Sequence, residues 1–386
     1  MSATITRFEL SAVDLPFRVK FKHSAAERQR SESLFLRCVT DGGASGFGES
    51  LPRHYVTGES RDGAFELLAE RVLPRLVGRS FTGLAGVESF LGDCDGRAPA
   101  DWVEPSTPQG AAWCAVDLAL LDTFGRAFGE LPLADATRSL PAGFRYSGVA
   151  SAETGWKKVA QLLAYRAMGM RHLKLKLGPE TTSADVRRIR ALVGRRMDLR
   201  ADANMGWTTD QALDSMRAFA SYGVRSYEQP IAAADLDGQT RLVEESGLDV
   251  MADESFHTSE SLAGLIERRA ATAVSARISK CGGLVATRSR CFEALAAGLW
   301  IQVGCQVGES SLLSAAHLRL CAAVGDVRYA EGCFGRLLLA EDPGTPLLQF
   351  RRGGRPPAPP SGPGLGVEID EDVLARHTTR KVTIQA

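Results

Sequence analysis

"RHLKLKLG", residues 171–178, alternates apolar and basic side chains, a period of two that predicts a β-strand. Residues two apart on a strand point to the same side, so Lys174 and Lys176 share a face. On a sheet face open to water such a pair is only solvated. What stands beside the strand decides whether it does more.

The neighbours come at a regular interval. Just after successive apolar strands stand Lys176 in "HLKLK", Asp202 in "DLRADAN", Glu228 in "VRSYEQP", Asp253 in "DVMADES", Lys280 in "SARISK" and Glu331 in "VRYAEG". The steps between them are 26, 26, 25 and 27 residues, then 51, about twice the same step. Gln306, in "QVGCQVGES", stands 26 residues beyond Lys280 and fills the gap. Amphipathic stretches such as "SADVRRIRALVGRR", "TDQALDSMRAFASYG" and "SESLAGLIERRA" occupy the intervals. Strand and helix in alternation predict parallel βαβ units. A near-constant step predicts a (β/α) barrel, in which residues at the C-terminal ends of strands converge on one mouth.

Residues 1–135 have a different texture. Strand-like "ITRFELSAVDLPF" and "SLFLRCVT" and a "DGGASGFGES" turn precede helical patterns at "DGAFELLAERVLPRLVG" and "QGAAWCAVDLALLDTFGRAFG", an α+β unit. Residues 136–340 carry the barrel pattern, and 341–386 form a C-terminal segment. The Pro/Gly-rich "RRGGRPPAPPSGPGLG" in that segment is a loop, and its "GPGLG" lacks the strand-then-helix setting of a nucleotide-binding turn.

With 386 residues, 44% of them hydrophobic, the chain can bury a large core. Lys plus Arg equal Asp plus Glu at 46 each, which gives no reason to expect a nucleic acid or an anionic membrane as partner; a small molecule is expected instead. Eight cysteines without a CxxC pair argue against a zinc ribbon or a disulfide framework. "MSATITRFEL" has no apolar signal core and no apolar run reaches the length of a membrane span, so a cytoplasmic location is expected.

A single acid after a strand is ordinarily a helix N-cap, and "DES" before a helix suits that role; a single lysine is ordinarily solvated. Capping does not explain acids at three consecutive strand ends flanked by lysines. Three converging carboxylates repel one another, and a divalent cation with oxygen ligands, most simply Mg²⁺ with Mn²⁺ as the alternative, completes such a group. Held near a cation, an ammonium loses its proton more easily and can serve as a general base.

The ordered set "KLKLG", "DANMGW", "YEQP", "MADES" and "ISKCGG", with "GFGES", "VTGES", "AAWCAVDLALLD" and "GPGLGVEIDED" around it, resembles the enolase superfamily over nearly the whole chain. Within it the chain is similar to the muconate-lactonizing subgroup (mandelate racemase and muconate lactonizing enzyme), and enolase-type sites are an established example of a lysine base beside Mg²⁺. The resemblance implies a modified TIM-type (β/α)7β barrel with an α+β N-terminal capping domain completed by the C-terminal tail. It implies Asp202, Glu228 and Asp253 as metal ligands, and Lys174, Lys176 and Lys280 as the catalytic lysines, Lys280 facing Lys176 across the barrel. Asn204 and Glu254 would position these groups, with Glu331 and Gln306 at further strand ends. Two cap loops, 21–32 and 50–60, would close over the ligand with His23, Arg28, Arg30, His54 and Tyr55.

The implied chemistry is abstraction of a proton α to a carboxylate through a metal-stabilised enediolate. Its products are racemisation or epimerisation, cycloisomerisation or, in a dehydratase-type lyase, elimination, on an N-acyl amino acid, a dipeptide-like or a muconate-like substrate. "YAEGCFG" stands where dipeptide epimerases carry a DxD pair and is similar to muconate cycloisomerases, whereas "FKHSAAER" and "VTGES" look like the racemase and epimerase side. A homo-oligomer is expected. Two other readings stand beside these: a Schiff-base lysine lyase or aldolase on the same barrel, which leaves the three acids unexplained, and a catalytically inactive carboxylate-binding relative.

Overall fold

Two sheets built from two kinds of sequence pattern make up the computed structural model, which describes residues 2–23, 26–133, 139–152 and 155–385, the side chains of 19–23 and 26–27 excepted. The N-terminal strands are β1 (Ala3–Val13), β2 (Pro16–His23), β3 (Ala26–Arg30), β4 (Ser33–Thr40), β5 (Ser45–Ser50) and the short β6 (Ser80–Phe81). β1, β4 and β5 pair antiparallel, while β2 and β3 form a separate two-stranded ribbon.

The second sheet is parallel and has eight strands in sequence order: β7 (Gly148–Ser151), β8 (His172–Lys176), β9 (Asp198–Asp202), β10 (Val224–Glu228), β11 (Asp249–Ala252), β12 (Ala273–Ala276), β13 (Trp300–Val303) and β14 (Val327–Ala330). It closes on itself where Tyr146 bridges Ala330 in parallel and the Ser147 N–H donates to the Ala330 carbonyl at 2.9 Å. Among the described residues one helix lies between each strand and the next, from Trp156–Ala167 to Ser311–Val324. Thr182, Thr208 and Thr258 start three of them with reciprocal capping boxes. After β14 the chain makes only a short 3₁₀ turn, Gly335–Leu337, before β15 (Gly344–Thr345) and β16 (Glu368–Ile369) pair with each other. The helix Glu371–His377 then leads into β17 (Thr378–Gln385), which pairs antiparallel with β1 at the edge of the N-terminal sheet. This is the expected (β/α)7β barrel with a cap completed by the tail. The expected division at 135/136 falls within residues 134–138, outside the described residues.

"DGGASGFGES" is a turn only in its first part; Ser45–Ser50 is strand β5. Its glycines reflect close approach, not turning. The helix Gly110–Phe128, buried along most of its length, lies directly on β5. A Cβ at Gly48 would stand 1.9 Å from the Ala115 carbonyl oxygen, and one at Gly46 2.4 Å from the Thr123 nitrogen. Gly48→Ala is expected to lower stability by about 1–3 kcal/mol in denaturant titrations, because helix and strand must move apart.

Buried carboxylates tie the two units together through backbone donors. Glu49 of "GFGES" accepts from the Ser310 N–H (3.0 Å) and hydroxyl (2.5 Å) at the start of the last barrel helix. Asp117 accepts from the N–H groups of Leu284 (2.7 Å) and Val285 (3.4 Å) at the start of another. Within the N-terminal unit, Glu59 of "VTGES" accepts in the same way from Ala111 and Ala112, both at 2.8 Å, at the head of Gly110–Phe128. Burial pushes Glu59 up to about 7 and Asp117 up to about 7, although these N–H groups pull the other way. The folded state therefore holds these protons more tightly than the unfolded chain. The stability they contribute is fully present below about pH 4 and is lost as pH rises through 7. A falling melting temperature between pH 5 and 8 is expected, and Glu59→Gln should make that fall shallower.

Candidate active site

Lys176, Asp202 and Glu228 are the last residues of β8, β9 and β10, and the ladder sets Lys176 beside Asp202 and Asp202 beside Glu228. Asp253 directly follows β11 and Glu331 directly follows β14. The structure thus gathers five of the sequence-derived residues at one end of the barrel. Asp202, Glu228 and Asp253 are fully buried.

Lys174, one alternation deeper on the same face, is also buried. Its Nζ lies 2.9 Å from Asp202 Oδ2, 2.8 Å from Glu228 Oε2 and 3.4 Å from Glu331 Oε2. Burial alone would lower its pKa, but Asp202, Glu228 and Glu331 outweigh that and hold it well above the ordinary lysine value. Lys174 is a fixed positive charge. Lys176 is the wetter of the pair, with 21% of its side chain exposed; its Nζ is 3.2 Å from Asn204 Oδ1 and 3.5 Å from Asp202 Oδ2. Asn204 also donates to Glu254 Oε1 at 3.4 Å, which links the positioning residues in one chain. Burial, then the charges of Asp253 and Asp202, raise the Glu254 carboxyl, and its Oε2 has no hydrogen-bond partner. Asn204 and Gln229 follow their strand ends at φ 44° and 34°, left-handed backbone of the kind that collects at working sites.

Lys280 turns back onto the strand ends of β11 and β12. Its Nζ donates to the Asp253 carbonyl (2.6 Å), Asp253 Oδ1 (2.7 Å) and the Ser275 carbonyl (3.0 Å), and its side chain is 0% exposed. All three N–H groups of the ammonium are engaged, so it is not presented toward Lys176 as a free base.

Sequence reasoning missed Arg277. It directly follows β12, is buried, and pairs with Asp253 and, at 3.4 Å, with Glu228 Oε1. The quoted "SARISK" contained it, but the regular step pointed three residues further on. Also missed were Gln229, whose Oε1 accepts from the N–H groups of Asp253 (2.9 Å) and Ser255 (3.0 Å), and Gln302, which donates to Glu228 Oε2 at 2.9 Å. Arg200 on β9 pairs with Glu331 and donates to Ser147 Oγ at 2.8 Å.

The cap residues divide. Arg28 pairs with Glu32 and lies 5.8 Å from the Tyr55 ring, joining the two expected loops. Arg30 instead pairs with Asp14 at 3.0 Å, is 60% exposed, and borders a groove with Arg376 and His377. His54 is exposed on the short helix His54–Thr57, and the His23 side chain lies outside the described residues. The unforeseen residue here is Arg53. Its guanidinium donates to the carbonyls of Ser31, Glu32 (3.3 Å), Pro52 (3.0 Å) and Val307 (3.2 Å), clamping both cap loops to the loop after β13. Gln306 lies in that loop, buried, with its Nε2 unpartnered.

Among the described residues no three acids, histidines or cysteines are drawn to one point that would hold a metal; the acid oxygens turn to Lys174, Arg277 and Lys280 instead. The donor chemistry nevertheless fits a hard dication. Three carboxylates stand on adjacent strand ends, and buried Asp202 Oδ2 has two ammonium groups nearby but no aligned hydrogen bond. No helix among the described residues is long and apolar enough to cross a membrane.

Buried acids and a partly exposed lysine at the C-terminal mouth of a capped barrel define an enzyme of acid–base chemistry. Residues 157–373 match the family described as enolase C-terminal domain-like, and the chain belongs to the enolase superfamily, in its muconate-lactonizing subgroup. It is 26% identical to the N-succinyl-L-Arg/Lys racemase of Bacillus cereus, across 97% of this chain and 98% of that one. The crystal structure of that racemase superposes with a TM-score of 0.86 at 25% identity, covering 99% and 100% of the two chains. Muconate cycloisomerase 1-1 of Acinetobacter lwoffii is 28% identical across 98% and 97%. The dipeptide epimerase of Cytophaga hutchinsonii, solved with Mg and the dipeptide D-Ala-L-Val, shares the fold at a TM-score of 0.86 and 23% identity, over 99% and 100%. The relatives are isomerases, and so is this protein.

Proposed function

We propose that this isomerase removes the proton α to the carboxylate of a small acid, of the N-acyl amino acid, dipeptide-like or muconate-like class, with Lys176 as the group that carries the proton. The observation that carries this reading is the row Lys176, Asp202, Glu228, set side by side by the strand register and extended by Asp253. Asp202, Glu228 and Asp253 would hold Mg²⁺, or Mn²⁺ in its place. When bound, that dication supplies positive charge to the substrate carboxylate as enediolate character develops. Lys174, kept charged by its three acids, adds a second fixed cation beneath it. Asn204 orients the Lys176 ammonium through its 3.2 Å contact. The α+β unit of residues 1–135 and the tail of 341–386 would serve as the cap, with Arg53 holding the loops that close over the mouth. We place the reaction in the cytoplasm, where the eight free cysteines stay reduced.

A Schiff-base lyase would need a neutral lysine free to attack a carbonyl. Lys174 is ion-paired with three acids and Lys280 donates to three acceptors, and the three acids at the strand ends would have no task. Incubating the Mg²⁺-loaded protein in D₂O with N-acyl amino acids, dipeptides, sugar acids and muconolactone tests the proposal. Incorporation of α-deuterium by mass spectrometry into at least one class is expected. No incorporation into any of them, with Mg²⁺ bound, would rule it out.

A further inference from the structure

We infer that Arg277, not Lys280, is the residue β12 presents to the substrate, and that proton transfer in this enzyme is confined to one face, served by Lys176 alone; this rests on the proton-abstraction reading above.

Position is the first argument. In the ladder Ala276 pairs with Val303, and Val303 with Ala330. The bonds from Gly304 N–H to the Ala276 carbonyl (2.8 Å) and from Glu331 N–H to the Val303 carbonyl (2.9 Å) continue that register by one residue. Arg277, Gly304 and Glu331 therefore stand in one row at the mouth. Gly304 leaves the room that the arginine fills, since a Cβ there would lie 3.1 Å from Arg277 Cγ and 3.4 Å from its Nε. The guanidinium ends on Asp253 and Glu228, two of the acids assigned to the metal.

Lys280 lies three residues into the following turn. Two of its three acceptors are backbone carbonyls, Asp253 and Ser275, and the Phe256 ring covers its Nζ at 5.4 Å. No substrate could replace those carbonyls without undoing the strand ends.

Chemistry supplies the second argument. A guanidinium keeps its charge and donates hydrogen bonds, but it does not take a proton from carbon. Arg277 can support charge developing on the substrate carboxylate and cannot act as the partner base. The neutral amine of Lys176 takes the α-proton and becomes ammonium, while the C–H electron pair moves into the carboxylate. The same ammonium then returns a proton to the same face, with configuration retained. In a lactone with a β-oxygen, the pair instead forms the C=C bond as the C–O bond breaks and the carboxylate departs. Racemisation, which needs a second base on the opposite face, is absent; cycloisomerisation and syn elimination remain.

The test is ¹H NMR of α-proton exchange in D₂O, with each enantiomer of N-succinylarginine, N-succinyllysine and muconolactone supplied separately to the Mg²⁺-loaded protein. One enantiomer of a reactive N-succinyl amino acid should exchange without loss of optical rotation while its mirror image stays protonated, and muconolactone should exchange or open to muconate from one enantiomer only. Arg277→Lys should introduce exchange of the mirror image, and Arg277→Met should slow the original exchange about 100-fold with the same facial preference. Apart from turnover, Arg277→Met should tighten Mg²⁺ binding about tenfold in calorimetry, since one cation no longer competes for Asp253 and Glu228. Lys280→Met should lower the melting temperature and leave the facial preference as it was. Racemisation of any probe by the wild type would overturn the inference. So would a mirror image left inert by a folded, Mg²⁺-binding Arg277→Lys. Absence of exchange from every probe would instead remove the proton-abstraction reading and the inference with it.

Discussion

Glu228→Gln should weaken Mg²⁺ binding by at least about 100-fold in calorimetric titration and reduce turnover by at least about 1,000-fold. Glu228 is the middle of the three acids and has three partners: Lys174 at 2.8 Å, Gln302 at 2.9 Å and Arg277 at 3.4 Å. The amide keeps the shape of the side chain and can still accept from Gln302, but it brings no charge. Two buried cations then share one carboxylate fewer, and breaking a buried charge network from one side typically costs about 3–5 kcal/mol. The metal-free variant should therefore melt earlier than the wild type, and added Mg²⁺ should stabilise it less. Asp202→Asn and Asp253→Asn should act in the same direction. Asp253 carries an added structural load, because its side chain also accepts from Lys280 at 2.7 Å. Mg²⁺ affinity unchanged in all three folded variants would sink the ligand assignment.

The barrel was legible because one βα unit takes nearly the same length each time it is used, so the strand ends recur at about 26 residues. The acids were legible for the same reason, since each ends its strand or follows it directly. The interval failed at β12, and the cause is local. That strand stops at Ala276 and the chain turns over the next four residues, so the regular step reaches Lys280 after the chain has left the mouth. The strand boundary, not the count, points to Arg277.

Arg53 shows a different limit. Its carbonyl partners include Val307, 254 positions away, and no local pattern announces that a guanidinium will be buried among distant carbonyls. Next to it, His54 looked equally polar and lies exposed. Gly46 and Gly48 look like turn residues because glycine in sequence marks backbone freedom; the packed helix that requires them begins at Gly110. The two absent Cβ atoms and the helix were each visible in the sequence, but not that the one packs on the other.

Lys176→Ala should abolish α-proton exchange, a loss of at least about 1,000-fold for removal of the sole base. Folding should hardly change, because Lys176 is partly exposed and its nearest contacts, Asn204 at 3.2 Å and Asp202 at 3.5 Å, lie at the rim of the charge cluster. Lys174 cannot take over. It lies two residues deeper on the strand, and Asp202, Glu228 and Glu331 keep its proton in place. Lys174→Ala should accordingly fail in another way: it leaves three buried carboxylates short of a counter-charge and should cost about 3–5 kcal/mol of metal-free stability. Those same acids should then gain from added Mg²⁺, so the metal-induced rise in melting temperature should be larger in Lys174→Ala than in the wild type. In Lys176→Ala that rise should stay close to the wild-type value while exchange is lost. Two lysines one alternation apart would thus be separated by measurement into a proton carrier and a fixed charge. Exchange at the wild-type rate in Lys176→Ala would show that another group holds the proton, and the assignment of the strand tip would fail.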